Sequence, residues 1–128
     1  VRGQATLEDI GVPQQRELFE READRLGYAP PVIDSFDVLA EPHGILSALC
    51  AALGIAFAEQ MLRWPAGKRA SDGVWAPAWY AAVERSTGFS APRRRALRDA
   101  LPDDLKRIAD QARSSYERLT EFKLDAHS

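Results

Sequence analysis

The stretch Gly67-Lys68-Arg69-Ala70-Ser71-Asp72-Gly73-Val74-Trp75-Ala76-Pro77-Ala78-Trp79-Tyr80 holds the residue types in this chain best suited to chemistry. Two cations, two glycines and Trp75 fall between Pro65 and Pro77, and two further large aromatics, Trp79 and Tyr80, follow directly. Lys68 and Arg69 are donors suited to a phosphate, the lysine as a point charge and the arginine as a planar fork. Trp75 offers a flat ring for a base or for core packing. The prolines interrupt helix and sheet, and Gly67 and Gly73 permit backbone angles and close approaches that a side chain blocks. An ordered functional loop over 65–76 is therefore predicted. Trp79 and Tyr80, on a short helix, are predicted to be core residues, because each ring has a large area to bury.

Other chemistries find less support. Nucleophilic catalysis needs a nucleophile beside a base, and the only histidines are His43 and His127, neither near a convincing Ser or Cys partner in sequence. One cysteine and two distant histidines do not make a metal site. No Gly-rich phosphate loop or dinucleotide fingerprint occurs. Arg93-Arg94-Arg95 with Arg98 is the densest basic cluster. It reads first as a solvated face balanced by Asp99, Asp103 and Asp104, and only second as a nucleic-acid patch, since just Phe89 lies close enough to interleave a base. Asp34 and Asp37 suit acid–base work, although an Asp at the end of a strand more often caps the next turn.

Several helices are needed to position the loop. Pro13 suits a first helical turn, and Leu18, Phe19, Ala23 and Leu26 recur at helical spacing before Gly27 stops the run, so a helix is predicted over about 13–26. Pro30-Pro31 then precedes Val32-Ile33, and this β-branched pair between turn formers predicts one short buried strand at about 31–35. Pro42 opens an apolar stripe through Ile45, Leu49 and Leu53 that Gly54 ends, a helix over about 42–53. Shorter helices are expected at 57–64, 77–86 and 92–100. Asp103 and Asp104 after Pro102 start a long helix over about 102–123. Residues 1–11 are expected to be an irregular lead-in and 124–128 a disordered tail.

The bulk numbers fit one domain, able to bury roughly two-thirds of its unfolded surface. The net charge of -2 argues against a nucleic-acid or membrane-surface binder, although it is uneven: residues 1–42 carry -5 and residues 85–128 carry +3. Cys50 is alone between Leu49 and Ala51, so a buried thiol, no internal disulfide and a cytoplasmic location are expected. No run of about 18 apolar residues suggests a membrane span. The chain opens on Val1-Arg2-Gly3 without Met, which predicts a piece of a longer protein.

The ordered set of segments resembles the P-loop sulfotransferases, specifically the bacterial sulfotransferase-like proteins. Val32-Ile33-Asp34-Ser35-Phe36-Asp37-Val38-Leu39, then Glu41-Pro42 and a helix ending at Leu53-Gly54, is similar to the family's strand, Tyr-Glu-Asp-Leu turn and following helix, with Asp37 in place of the Asp. Ser35 and Phe36 stand at the Tyr and Glu places. Anchored on Trp75, the opening stretch resembles the family's late Arg-Lys-Gly loop running into Gly-Asp-Trp-Lys. Gly73 and Lys68 match, whereas Gly67, Arg69 and Ala76 stand where that motif has Arg, Gly and Lys. The run from Trp64-Pro65 through Trp79-Tyr80 to Ser86-Thr87-Gly88-Phe89 completes the likeness.

The resemblance implies an α/β fragment, predominantly helical, whose one strand belongs to a parallel P-loop-type sheet. It implies sulfuryl transfer from 3′-phosphoadenosine 5′-phosphosulfate to a small-molecule acceptor, without a metal. Lys68 and Arg69 would lie near the 3′-phosphate and Trp75 near the adenine, with Gly73 in the same cofactor-binding loop. The phosphate loop and catalytic base would precede Val1, so this part would be inactive alone and partnered by the upstream part of the same protein. The alternative is a small helical interaction module pairing through its long last helix.

Overall fold

The computed structural model describes residues 5–93 and 98–127. Its first helix, α1 (Leu7–Ile10), lies in the expected irregular lead-in. Thr6 and Asp9 explain it: the Asp9 amide donates to Thr6 Oγ1, and the Thr6 amide donates to Asp9 Oδ2 at 2.8 Å, a reciprocal cap strong enough to start a short helix. Next come α2 (Val12–Leu26), α3 (Ser35–Ala40) and α4 (Pro42–Leu53). The predicted bounds of α2 and α4 hold within one residue, because Pro13 and Pro42 occupy first turns and Gly27 and Gly54 follow the last.

The long helix α7 (Asp103–Thr120) packs chiefly on α2, with a smaller contact to α1. Phe19 of α2 is buried, and its ring stands 5.0 Å from Phe122, just past the end of α7. Beside this pair Arg118 reaches Glu20 at 2.7 Å and lies over the Phe122 ring at 4.7 Å. Glu20 is held below its ordinary carboxylate value, first by the hydrogen bond from Arg118. On α7 the buried face is Ala112, Ser115 and Leu119, one residue per turn or so. A second buried patch on α4 comprises Ile45, Ala48 and Cys50, with α3 as its helical neighbour. The buried Cys50 thiol agrees with expectation, and its sulfur meets that of Met61 at 3.9 Å.

Around 31–35 the structure departs from the expected strand. β pairing among the described residues is confined to two single-residue bridges, Val32 with Lys123 in parallel and Arg63 with Gly88 in antiparallel sense. Ser35 already belongs to α3, and Ile33 is 40% exposed rather than buried. A β-branched pair makes a strand only where neighbouring strands complete its ladder, and here one residue of the segment finds a partner.

Residues 124–127 of the expected tail are instead placed against the body, and Ser128 lies outside the described residues. The Leu124 amide donates to Val32 O at 2.8 Å, and Ala126 lies so close to Gly44 that a methyl built there would fall 2.6 Å from Ala126 Cβ. The accessible surface is 9863 Å². A compact monomer of this mass exposes ~6,800 Å², so the chain buries about half of its unfolded surface, short of the two-thirds expected.

Candidate functional site

The loop rises from a closed base. Arg63 and Gly88 form their bridge, the Trp64 amide donates to Thr87 O at 3.0 Å, and the Gly67 amide donates to Glu84 O at 2.7 Å. Trp64 adds two side-chain contacts. Its Nε1 donates to Ser86 Oγ at 2.8 Å, and its ring meets Phe89 edge-on at 5.3 Å. Gly67 has φ 117, a conformation that L side chains rarely adopt, so a glycine is required where the chain leaves this base.

Beyond Gly67 the backbone closes a tight turn. Asp72 Oδ2 accepts from the Arg69 amide at 2.9 Å, and the Asp72 amide donates back to Arg69 O at 3.0 Å. Lys68 and Arg69 are both exposed, and Arg69 Nη2 donates to Pro65 O at 3.0 Å, which orients the guanidinium along the loop. Gly73 lacks the positive φ of Gly67, and open space surrounds the position where its Cβ would stand, so neither conformation nor crowding demands glycine there.

Trp75 is 71% exposed at the start of α5 (Ala76–Trp79). The expected 77–86 helix is broken at Tyr80 into α5 and α6 (Ala81–Arg85). Trp79 and Tyr80 are not core residues. Trp79 is 74% exposed and Tyr80 39%, since α5 and α6 pack mainly on each other and bury only Ala76. The predicted quartet Lys68, Arg69, Gly73 and Trp75 therefore shares one exposed, internally hydrogen-bonded excursion.

Apart from the loop, a concavity of about 720 Å³ lies between α2, the 32–39 segment, residues 90–93 and α7. Its polar lining includes Asp34, Ser35, Arg93 and Tyr116. Asp34 caps α3, as the sequence suggested: Oδ1 accepts from the Phe36 amide at 2.8 Å, while Oδ2 accepts from the Tyr116 hydroxyl. Asp37 pairs with Lys123 at 2.9 Å, and this contact raises the ammonium pKa. Both aspartates thus tie the 34–37 segment to the end of α7.

Of the basic cluster, Arg94 and Arg95 lie outside the described residues. Arg93 is exposed. Arg98 grips Asp110 with both ends of its fork at 2.6 Å and reaches Asp99 at 3.2 Å, so it is balanced as expected but chiefly by a partner on α7. Asp110 is held below its ordinary value first by that hydrogen bond.

One constellation escaped the sequence reading. His43 Nε2 lies 3.2 Å from Glu59 Oε1, and its Nδ1 lies 3.4 Å from Ser47 Oγ. An ionised Glu59 carboxylate only accepts, which matches a donor at Nε2, while the Ser47 hydroxyl can serve Nδ1 in either sense. The i,i+4 spacing of His43 and Ser47 was a visible signal, whereas Glu59 comes from beyond α4. His43 also packs on Phe57 at 4.8 Å, and the trio does not line the concavity between α2 and α7. It fastens the 57–59 segment to α4.

Among the described residues no group of three metal-ligating side chains converges, and no helix is long and apolar enough to cross a membrane. No solved structure matches the chain. Two curated Arabidopsis thaliana proteins do. Branched-chain-amino-acid aminotransferase-like protein 1 is 46% identical over 70 residues, which is 55% of this chain and 13% of that protein. Its namesake, protein 2, is 41% identical over 70 residues, 55% and 12% of the two chains. The matched stretch is thus only about an eighth of either relative's length. The model of the sulfotransferase domain family matches residues 1–117, nearly the whole chain, and the protein belongs to that family.

Proposed function

We propose that this chain is the C-terminal part of a P-loop sulfotransferase domain of the bacterial sulfotransferase-like type, working in the cytoplasm. Its Gly67–Trp75 loop forms one rim of the site for 3′-phosphoadenosine 5′-phosphosulfate. Membership of the sulfotransferase domain family supports transfer of a sulfuryl group to a small-molecule acceptor. The observation that carries the loop assignment is the joint exposure of Lys68, Arg69 and Trp75 on one hydrogen-bonded turn, where two cations and a flat ring face outward. In this reading Lys68 and Arg69 hold the 3′-phosphate through charge-assisted hydrogen bonds and Trp75 covers the adenine.

The reading makes the chain incomplete. Its surface, about 45% above that of a compact monomer, and the single-residue pairing of Val32 both suit a body that joins the upstream part of the same protein. The parallel sheet, the phosphate loop and the catalytic base belong to that upstream part, and the present segment is inactive alone. The competing helical module would need the apolar face of α7 for an outside partner, but Ala112, Ser115 and Leu119 are already buried.

Calorimetric titration with adenosine 3′,5′-bisphosphate tests the assignment. Weak binding is expected, lowered about tenfold or more by Lys68→Ala with Arg69→Ala, since each charged hydrogen bond contributes about 1.5–3 kcal/mol. Binding that persists unchanged in the double variant refutes it.

A further inference from the structure

The base of the excursion is more heavily fastened than its tip. Within residues 63–89 the two arms are joined by the Arg63–Gly88 bridge and by backbone bonds from Trp64 to Thr87 and from Gly67 to Glu84. Across them runs a side-chain relay. Trp64 Nε1 donates to Ser86 Oγ at 2.8 Å, and that hydroxyl donates in turn to Val83 O at 2.6 Å, the open end of α6. The serine thus uses its proton on one arm and a lone pair on the other, a chain in which each bond polarises the next. Phe89 closes the ring edge, and Gly88 lies so near that a Cβ there would stand 3.0 Å from Leu62 O.

We propose that Trp64 and Ser86 are positioning residues, a clasp that fixes the arms of the loop and thereby the spacing of Lys68, Arg69 and Trp75. This rests on the nucleotide reading of the loop. Neither residue is asked to touch a ligand. With the clasp shut, the cations are presented in one arrangement; with it open, the apparent affinity falls by the fraction of molecules that remain shut.

Hydrogen exchange on the intact chain, run beside titration with adenosine 3′,5′-bisphosphate, separates the possibilities. Trp64→Phe keeps a ring against Phe89 and removes the donor, and Ser86→Ala removes the relay. Each should speed exchange of the Gly67 amide about five- to tenfold, the effect of losing one neutral hydrogen bond. Exchange in α2 and α7 should stay at the wild-type rate, and nucleotide affinity should weaken. Ser86→Thr, which keeps the hydroxyl, should restore both. Gly88→Ala, which forces the arms apart without removing a polar group, should reproduce the loss.

Exchange that rises equally in α2 and α7 overturns the proposal, because the residues then support the whole fold rather than the loop. So does wild-type affinity in a variant whose Gly67 amide is freed. If the unaltered chain fails to bind the bisphosphate, the nucleotide reading falls and positioning for a nucleotide with it, and local exchange alone then reports whether the clasp exists.

Discussion

Substitution of Gly44 by alanine has opposite consequences in two forms of this chain. Gly44 is the third residue of α4, where alanine is favoured over glycine by up to about 1 kcal/mol. Against that, the new methyl would stand 2.6 Å from Ala126 Cβ and 3.1 Å from both Ala126 Cα and O, well inside contact distance. Two of those three atoms are backbone, so relief requires the 124–127 segment to move, and overpacking of this kind costs about 1–3 kcal/mol. The clash outweighs the propensity, and Gly44→Ala should lower stability by about 1 kcal/mol. In a chain ending at Asp125 the obstacle is gone and only the propensity remains, so the same substitution should raise stability. Circular dichroism melts of the four proteins decide it, with a midpoint about 3–6 °C lower in the full chain and about 2–4 °C higher in the shortened one. Equal shifts of the same sign would show that residues 126–127 do not pack on α4, and the docking of the chain end would be refuted.

Phe19→Ala should cost about 3–4 kcal/mol, because a buried ring between α2 and Phe122 is replaced by a cavity, and chemical denaturation should show a midpoint near or below the detection limit in a chain this poorly buried. Acid should loosen the hold of α7 on α2, through Glu20, and on Arg98, through Asp110. Both carboxyls have lowered folded pKa values, so their contribution is complete above the ordinary values of 4.5 and 3.8 and is lost as pH falls through the folded values. Melting temperature should therefore drop below about pH 4, and Glu20→Gln with Asp110→Asn should flatten that drop. Trp79→Ser should reduce concentration-dependent association in sedimentation, since Trp79, Trp75 and Val74 are each more than 70% exposed.

Long-range partners explain most of what the sequence left unread. The bounds of α2 and α4 and the start of α7 follow from prolines, glycines and apolar spacing, all of them signals carried within one or two turns. The helix expected to run to about 123 ends at Thr120, because no glycine or proline marks that end and Lys123 pairs with Val32 instead. The expectation of disorder over 124–128 missed, for its described residues 124–127, Val32 O, nearly a hundred residues away, which accepts from Leu124, and the small Gly44 that admits Ala126. The lead-in hid α1 because its cap uses Thr6 with Asp9, an S/T-x-x-D pattern weaker than the usual Glu or Gln form. Val32-Ile33 illustrates the opposite failure. Its propensity for strand is real, but a strand is a property of a ladder, and among the described residues the segment bridges to Lys123 alone.

The loop was legible for a local reason and its aromatics were misread for a tertiary one. Lys68 and Arg69 had to be exposed wherever the loop lay, since unpaired cations are not buried. For Trp79 and Tyr80 burial was inferred from ring area, which holds only if something stands opposite them. In this chain α5 and α6 face mainly each other, so the rings remain outside. The clasp at the base, by contrast, joins residues 22 positions apart through a side-chain bond that no periodicity announces. The same excursion therefore holds a hydrogen-bonded base and an uncovered apolar tip. If the proposed clasp fixes the base, the arms that carry Lys68, Arg69 and Trp75 are spaced before a ligand arrives, and less binding energy goes into ordering them.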